Sequence, residues 1–418
     1  MKLNSKPDSK TRAVILRRNM IKIYVSSFFR YFILFLPIIV PYFTSLGLTH
    51  QEVMTLQSVS AATFFLTEVP TGYFSDRFKR KWAMICAALI RIVSVLSLMR
   101  AQNFHDLVVF EILFALSLCF DSGTDTAILY DTSEELKSTS GEPELGSSGL
   151  LSNRVFYLQI GEAVSAVLGG MLATYSLKYT IYGSLGVALI QLFIALSVVE
   201  PARTQKGNQK DQKQGSGVFG VLGCFKNNAL MSCGVLLVFI NLLTFIGTWT
   251  YQMNWTHSGV DLKYFGYLWA GYNVAIALAA RLAPKLEEYM GSRWLIILTG
   301  SLPAIGFLGM CYSDAIFAVA AGFALQFCRG FQGVTIHRIF NDQLPSGIRA
   351  TANSFISLAI RGVFALTAPF VGYLVDQKGI KFSYFCLGIS SFLAFGLIFY
   401  FVLNRRLFDK DGQLALSS

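Results

Sequence analysis

Asp121 and Asp125 stand four residues apart in CFDSGTDTAILYD, inside a long apolar stretch. On one continuous helix that spacing places both carboxylates on the same face. Two carboxylates held close in a low-dielectric setting raise each other's affinity for protons, so the chemistry they suggest is reversible proton binding. Asp121 is expected to lie deeper and to carry that role. Asp125 is open between the same role and an ion pair with the basic residues Arg77 or Arg80. The other ionisable groups inside apolar stretches are Arg30, Glu68, Arg91, Glu111 and Glu162 in the first half, and Arg329, His337, Arg338 and Arg361 in the second. Such groups are costly in lipid unless paired or hydrated, which makes each a functional candidate. The first half therefore holds the deep carboxylates, and the second offers mainly cations. Arg329, in QFCRGFQG, carries a planar fork of donors suited to a carboxylate or phosphate. Arg91 and Arg361 are expected to pair with Glu68 or with backbone carbonyls. Glu68 precedes Pro70 and is expected to accompany a bend, and Glu111 is expected to be hydrated near the outer surface.

The elements that must position these groups are membrane helices. The chain has 418 residues, 54% of them hydrophobic and only 14% charged, with a mean hydropathy of +0.52. A soluble chain carries about 25% charged residues. The apolar residues come in blocks of roughly 20, the length that spans a bilayer as a helix. A membrane β-barrel would instead show alternating segments of about ten residues, and none is visible. Helices are predicted near 20–46, 53–75, 82–100, 106–130, 152–176, 180–199, 227–251, 262–281, 293–312, 315–341, 350–374 and 382–403. The first apolar run is too long for a cleaved leader and is expected to remain as a helix. The net charge of +11 is spread over alternate loops and both tails. That pattern matches positive-inside topology and not a nucleic-acid surface. Both termini are accordingly expected in the cytoplasm. The seven cysteines show no metal-ligand or CxxC spacing and read as small buried hydrophobes.

The stretch GYFSDRFKRK, Gly72 to Lys81, sits between two apolar runs and is too charged to cross a bilayer. It reads as a short cytoplasmic loop. A Gln-, Lys- and Gly-rich segment, Glu200–Gly217, has nothing to bury and reads as a flexible connector between two halves of about six spans. The expected organisation is a tail over 1–19, a six-helix lobe over 20–199, a linker over 200–226, a second lobe over 227–403 and a tail over 404–418. Residues 132–149 are acidic and Ser-rich and are expected to be mobile. The triplet Asn254-Trp255-Thr256 is a glycosylation sequon in an expected outer loop. Lys285 to Arg293 faintly echoes the basic loop of the first half.

Gly72, Asp76, Arg77, Arg80 and Lys81 resemble the signature loop of major facilitator superfamily transporters, with Lys79 where a second glycine usually stands. DSGTDTAILYD and LPSGIRATANSFISL add to the likeness, which is closest to a bacterial subgroup of small-solute and drug exporters. The resemblance implies an all-α fold of twelve transmembrane helices in two six-helix lobes, working by alternating access in the inner (plasma) membrane. It implies that Arg30, Asp121, Asp125 and Arg329 face a central cavity, with Asn241, Thr244, Trp249 and Gln252 able to join them. It implies that Gly72–Lys81 acts as a gating loop, with Asp76 capping the helix that begins near Ala350. Gly161, Gly169 and Gly170 weakly resemble an exporter motif, although close helix packing explains them as well. The expected activity is proton-coupled transport, with efflux favoured by analogy, of a small solute that the arginine excess makes anionic, a carboxylate siderophore being one case. Efflux of lipophilic cations, solute uptake and a non-transporting receptor or scaffold are the alternatives. No nucleotide-binding motif is present, and neither enzyme activity nor a cofactor, metal or nucleic acid is expected. The expected partners are the solute, protons and membrane lipid, with the chain acting as a monomer.

Overall fold

The structure, a computed structural model, describes residues 9–140, 147–202, 228–312, 315–345 and 348–404, and these residues contain helices but no strand. The first half begins with α1 (Ser9–Arg30), a 3-10 turn at Leu36–Ile38, and α2 (Ile39–Ser45). The expected single helix over 20–46 is thus broken after Arg30. In a continuous helix the Pro37 ring would clash with the carbonyl of Ile33 and supply no N–H. There follow α3 (His50–Arg77), α4 (Arg80–Arg100), α5 (Phe104–Asp121), α6 (Thr124–Ser140), α7 (Ser147–Tyr175) and α8 (Leu177–Ser197). The second half holds α9 (Asn228–His257), α10 (Phe265–Met310), α11 (Ala315–Asp342), α12 (Arg349–Lys378) and α13 (Ile380–Asn404).

The expected helix over 106–130 is also two helices. Gly123 has φ +75°, a left-handed conformation that glycine adopts without a Cβ penalty. Asp121 therefore closes α5 and Asp125 lies in the first turn of α6, so the argument that they share one helical face fails. Conversely, the spans expected at 262–281 and 293–312 run together in α10, with a break at Gly291, φ 80° and ψ 156°. Among the described residues nine segments are long and apolar enough to cross a membrane. With α1–α2, α3 and the two halves of α10 taken separately, they reproduce the twelve-span plan.

By contacts the chain divides into two units, residues 1–37 with 63–208, and residues 38–62 with 209–418. One division falls inside the expected linker, of which residues 203–226 lie outside those described. The segment 38–62 belongs to the second unit through specific bonds. Val40 N donates to Gln252 Oε1 at 3.0 Å. Asp376 on α12 accepts from His50 N at 3.0 Å and Gln51 N at 2.8 Å, and its Oδ1 lies 2.8 Å from His50 Nδ1. A carboxylate thus sits at the positive end of α3, as an N-cap would. Gly372 permits the approach, since a Cβ there would lie 2.6 Å from both Gln51 Cα and His50 O.

Within the first unit, α7 lies against α1 through Gly161 and against the segment after the break through Gly169. A Cβ on either would overlap the backbone carbonyl of Phe28 or Leu34 respectively, so close packing accounts for these glycines. Outward side chains such as Phe193 (73% exposed), Ile316 (81%) and Leu366 (82%) form the kind of apolar surface that lipid covers.

Three expectations at the ends of elements change. The supposed N-terminal tail is helical from Ser9, and Arg12 pairs with Glu135 through bonds of 2.7 and 3.0 Å. The stretch expected to be mobile from 132 is helical through Ser140, with 141–146 outside the described residues. The sequon is part of α9, where Asn254 is 2% and Trp255 0% exposed, so burial withholds it from glycosylation.

Replacing Gly161 or Gly169 with Ala should destabilise the first unit by about 1–3 kcal/mol through overpacking. Gly186→Ala, where an added Cβ meets nothing within 4 Å, is the neutral control. Apparent Tm of the detergent-solubilised protein checks the contrast, and equal Tm values for all three would remove the packing argument.

Candidate functional site

The break after Arg30 interrupts the helical bonding of the carbonyls around it, leaving Phe29 O and Tyr31 O with turn bonds from Phe32 N at 3.2 Å and Ile33 N at 2.9 Å. Side chains from three other helices supply donors. Gln191 Nε2 on α8 donates to Phe29 O at 2.7 Å, Arg91 Nη1 on α4 donates to Arg30 O at 2.9 Å, and Ser165 Oγ on α7 donates to Tyr31 O at 3.4 Å. A cation at a helix C-terminus is favoured by the helix dipole. The expected pairing of Arg91 with backbone carbonyl is therefore present. Its Nε also donates to Ser117 Oγ at 3.2 Å, and its guanidinium lies 5.1 Å from the Phe114 ring centroid. Its ion-pair partner is Asp121, with Nη2 to Oδ2 at 3.9 Å, and not Glu68.

Arg30 reaches the other carboxylate. Its Nη1 donates to both oxygens of Asp125 at 3.2 Å. Arg154 on α7 approaches the same carboxylate, with Nε to Oδ2 at 2.9 Å and Nη2 to Oδ2 at 2.8 Å. Thr126 N donates to Asp125 Oδ1 at 2.8 Å. Asp125 is thus surrounded by donors and only 3% exposed. Asp121 holds a single long ion pair, and its side chain is 17% exposed. Arg30, Arg91, Asp125 and Arg154 all lie within its electrostatic reach. The cluster sets three arginines against two carboxylates. Arg30 Nε and Arg91 Nη2 are buried without a hydrogen-bond partner among the described residues.

The alternative of an Asp125 pair with the basic loop is not what forms. Arg80 instead pairs with Asp131 and donates to Ala127 O at 2.5 Å. Arg80 N and Lys81 N donate to the two oxygens of Glu200 at 3.0 and 2.9 Å. Glu200, expected at the start of a flexible connector, caps α4 instead. Lys81 Nζ donates to Leu196 O at 2.7 Å, and Arg77 to Tyr73 Oη at 3.3 Å. Gly72 lies in α3 with open space around its Cα. The side chains of Asp76 and Ala350 lie outside those described.

In the second unit Asn241 and Gln332 exchange side-chain amide hydrogen bonds at 2.8 and 2.9 Å. Gln252 is fully buried against Val40, and Thr244 Oγ1 donates to Asn241 O at 3.1 Å. Arg329 is half-buried and donates to Thr248 Oγ1 at 3.5 Å. Trp249 Nε1 and Tyr251 Oη are buried without partners among the described residues. Arg338 is not a buried charge: its side chain is 46% exposed and pairs with Glu287 at 2.5 Å. Glu111, expected to be hydrated, is 4% exposed on the packed face of α5. Sequence reasoning missed Arg154, although an arginine inside the expected span 152–176 was the available signal. It also missed Asp131, Glu200 and Asp376, whose partners are remote in sequence.

The family model for the Major Facilitator Superfamily matches residues 23–333 and 252–414. The chain belongs to the Major Facilitator Superfamily. It is a secondary transporter, an integral membrane protein with the twelve-helix, two-lobe fold of that superfamily. An uncharacterized MFS-type transporter of Methanocaldococcus jannaschii is 21% identical over 373 residues, covering 88% of this chain and 93% of the relative. The crystal structure of the nucleoside transporter NupG superposes with a TM-score of 0.75 at 14% identity, over 94% of this chain and 100% of that one. A bacterial homolog of the human lysosomal transporter Spinster, inward-facing and unoccupied, gives 0.68 at 16% identity, over 99% and 100%. At these identities the two structures speak for the fold alone.

Asp125→Asn should leave two buried arginines short of their carboxylate and cost about 3–5 kcal/mol. Asp121→Asn should fold with a Tm close to the parent. Thermal unfolding monitored by size-exclusion recovery separates the two, and equal losses would contradict the division drawn between them.

Proposed function

We propose that this major facilitator is a proton-coupled carrier of a small organic anion in the bacterial plasma membrane, working by alternating access. The observation that carries the reading is the unequal setting of the two carboxylates. Asp125 accepts from two arginines and a backbone N–H, so a proton would have to displace strong donors. Asp121 is less buried and more weakly paired, which suits a group that gains and loses a proton. Asp125 then serves as the fixed counter-ion that holds Arg30 and Arg154 in place.

The excess of arginine over carboxylate in the cluster supports an anionic or carboxylate-bearing solute, of which a carboxylate siderophore is one example. Arg329 supplies a further cation on α11, with Trp249 and Asn241 on α9 as neighbouring candidates. Lys and Arg in both tails and in the 72–81 loop support cytoplasmic termini. Gly72, Asp76, Arg77, Arg80 and Lys81 are assigned to the cytoplasmic gate, where Arg80 and Lys81 are tied to Asp131 and Glu200.

Proteoliposomes containing a pH-sensitive dye test the proposal. Organic anions, carboxylate siderophores among them, should evoke proton movement that Asp121→Asn abolishes while leaving the protein folded. Proton movement evoked only by lipophilic cations would assign the chain to multidrug transport. Anion flux indifferent to pH would remove the coupling, and silence across the panel would remove the anion reading.

A further inference from the structure

A groove of about 450 Å³ runs between α9 and α12 in the second unit, with Ile398 of α13 also in its lining. On α9 it follows one helical stripe from Met231 to Leu242. On α12 it is lined by Phe355, Ile356 and Ala359 among others. Ile356 belongs to the buried core, whereas Met231 and Phe355 are exposed. None of the lining residues has a polar side chain, and Arg361, on the same stretch of α12, is not one of them. The volume falls in the range of small-molecule sites, about 300–1,000 Å³. Such sites also carry a few polar groups that orient the ligand. This groove has none, so its occupant must be apolar along its whole buried part.

We infer that the groove holds one acyl chain of an anionic phospholipid, whose headgroup phosphate pairs with Arg349. Its position along the helices fits such a chain. The stripe begins three residues after Asn228, the first residue of α9, and rises about 17 Å to Leu242. Half of a hydrocarbon core roughly 30 Å thick is about 15 Å, so the groove spans one leaflet from the helix ends inward. An acyl chain has that extent and needs no polar partner. Lipid tails are as apolar as the groove, so leaving the bilayer for it brings little hydrophobic gain. Preference among lipids must then come from the headgroup. Arg349 opens α12 seven residues before Ile356, which puts it two turns away on the same face. It is exposed, its Nε donates to Leu344 O at 2.9 Å, and it has no ion pair among the described residues. Its remaining donors at the mouth of the groove suit a phosphate.

The test is native mass spectrometry of the full-length protein, released from micelles holding equal amounts of dioleoyl phosphatidylglycerol and dioleoyl phosphatidylcholine. The parent should retain phosphatidylglycerol over phosphatidylcholine by about fivefold, the factor that one arginine near a membrane surface supplies. Ala359→Phe fills the groove and should lose one lipid equivalent. Gly396→Phe should retain it, since a Cβ there meets nothing within 4 Å and the residue lies outside the lining. Arg349→Gln should keep a lipid but hold the two kinds equally. In nanodiscs, phosphatidylglycerol with a photoreactive diazirine on its acyl chain should label residues 231–242 or 355–363 of the parent, a readout that needs no variant to fold. Equal retention of the two lipids by the parent, or labelling confined to other segments, would overturn the inference. So would an undiminished lipid count in folded Ala359→Phe. A lipid-free dimer that Ala359→Phe converts to a monomer would assign the groove to a second copy of the chain instead.

Discussion

The structure depends on one constraint: every charge and every free backbone carbonyl inside the apolar interior must find a partner. The break of α1 after Arg30 exposes helix-end carbonyls, and Arg91, Gln191 and Ser165 converge on them. Arg91 is thereby fixed close to Asp121. The side chain of Arg30, the residue at the break, turns to Asp125, which a second break at Gly123 has placed in the first turn of α6. Glycines on α7 let that helix approach α1 closely, and Arg154 on the same helix completes the pairing of Asp125. The cluster is thus assembled by two helix breaks and one close packing contact. None of the three is itself a charged feature.

A related economy appears at the helix ends of the two halves. In the first half Arg80, at the start of α4, pairs with Asp131 on α6. In the second half Glu287, on α10, pairs with Arg338 on α11. The polarity is reversed but the kind of contact is kept. An ion pair gains the same Coulomb energy whichever partner is the cation.

How far the sequence could be read follows from the same physics. Span number and loop charge are sums over many residues, so the twelve-helix plan was legible from hydropathy and composition. The helix breaks hang on single residues. Pro37 lies inside an apolar run long enough to hide it, and Gly123 falls between two carboxylates whose spacing invited a helical reading. The shared-face argument for Asp121 and Asp125 failed for that reason, although the residues it selected do meet in one cluster. Arg154, Asp131, Glu200 and Asp376 escaped notice because a charge near a helix end looks solvated until its distant partner is known. Glu111 and Asn254 were misplaced for the complementary reason, since a residue type does not reveal which face of its helix is packed.

The two carboxylates also show why identity and spacing alone could not divide their roles. Asp121 and Asp125 are the same chemical group, close together in sequence and in space. Their environments differ in the number of donors that reach each one. A carboxylate that accepts from two guanidiniums and a backbone amide stabilises those groups only while it stays ionised. A carboxylate whose ion pair is long has less to lose on gaining a proton. Asp125 with Arg30 and Arg154 carries one net positive charge, while Arg91 and Asp121 balance one to one. The closely held ion pair and the long one are therefore parts of a single arrangement of three arginines and two carboxylates.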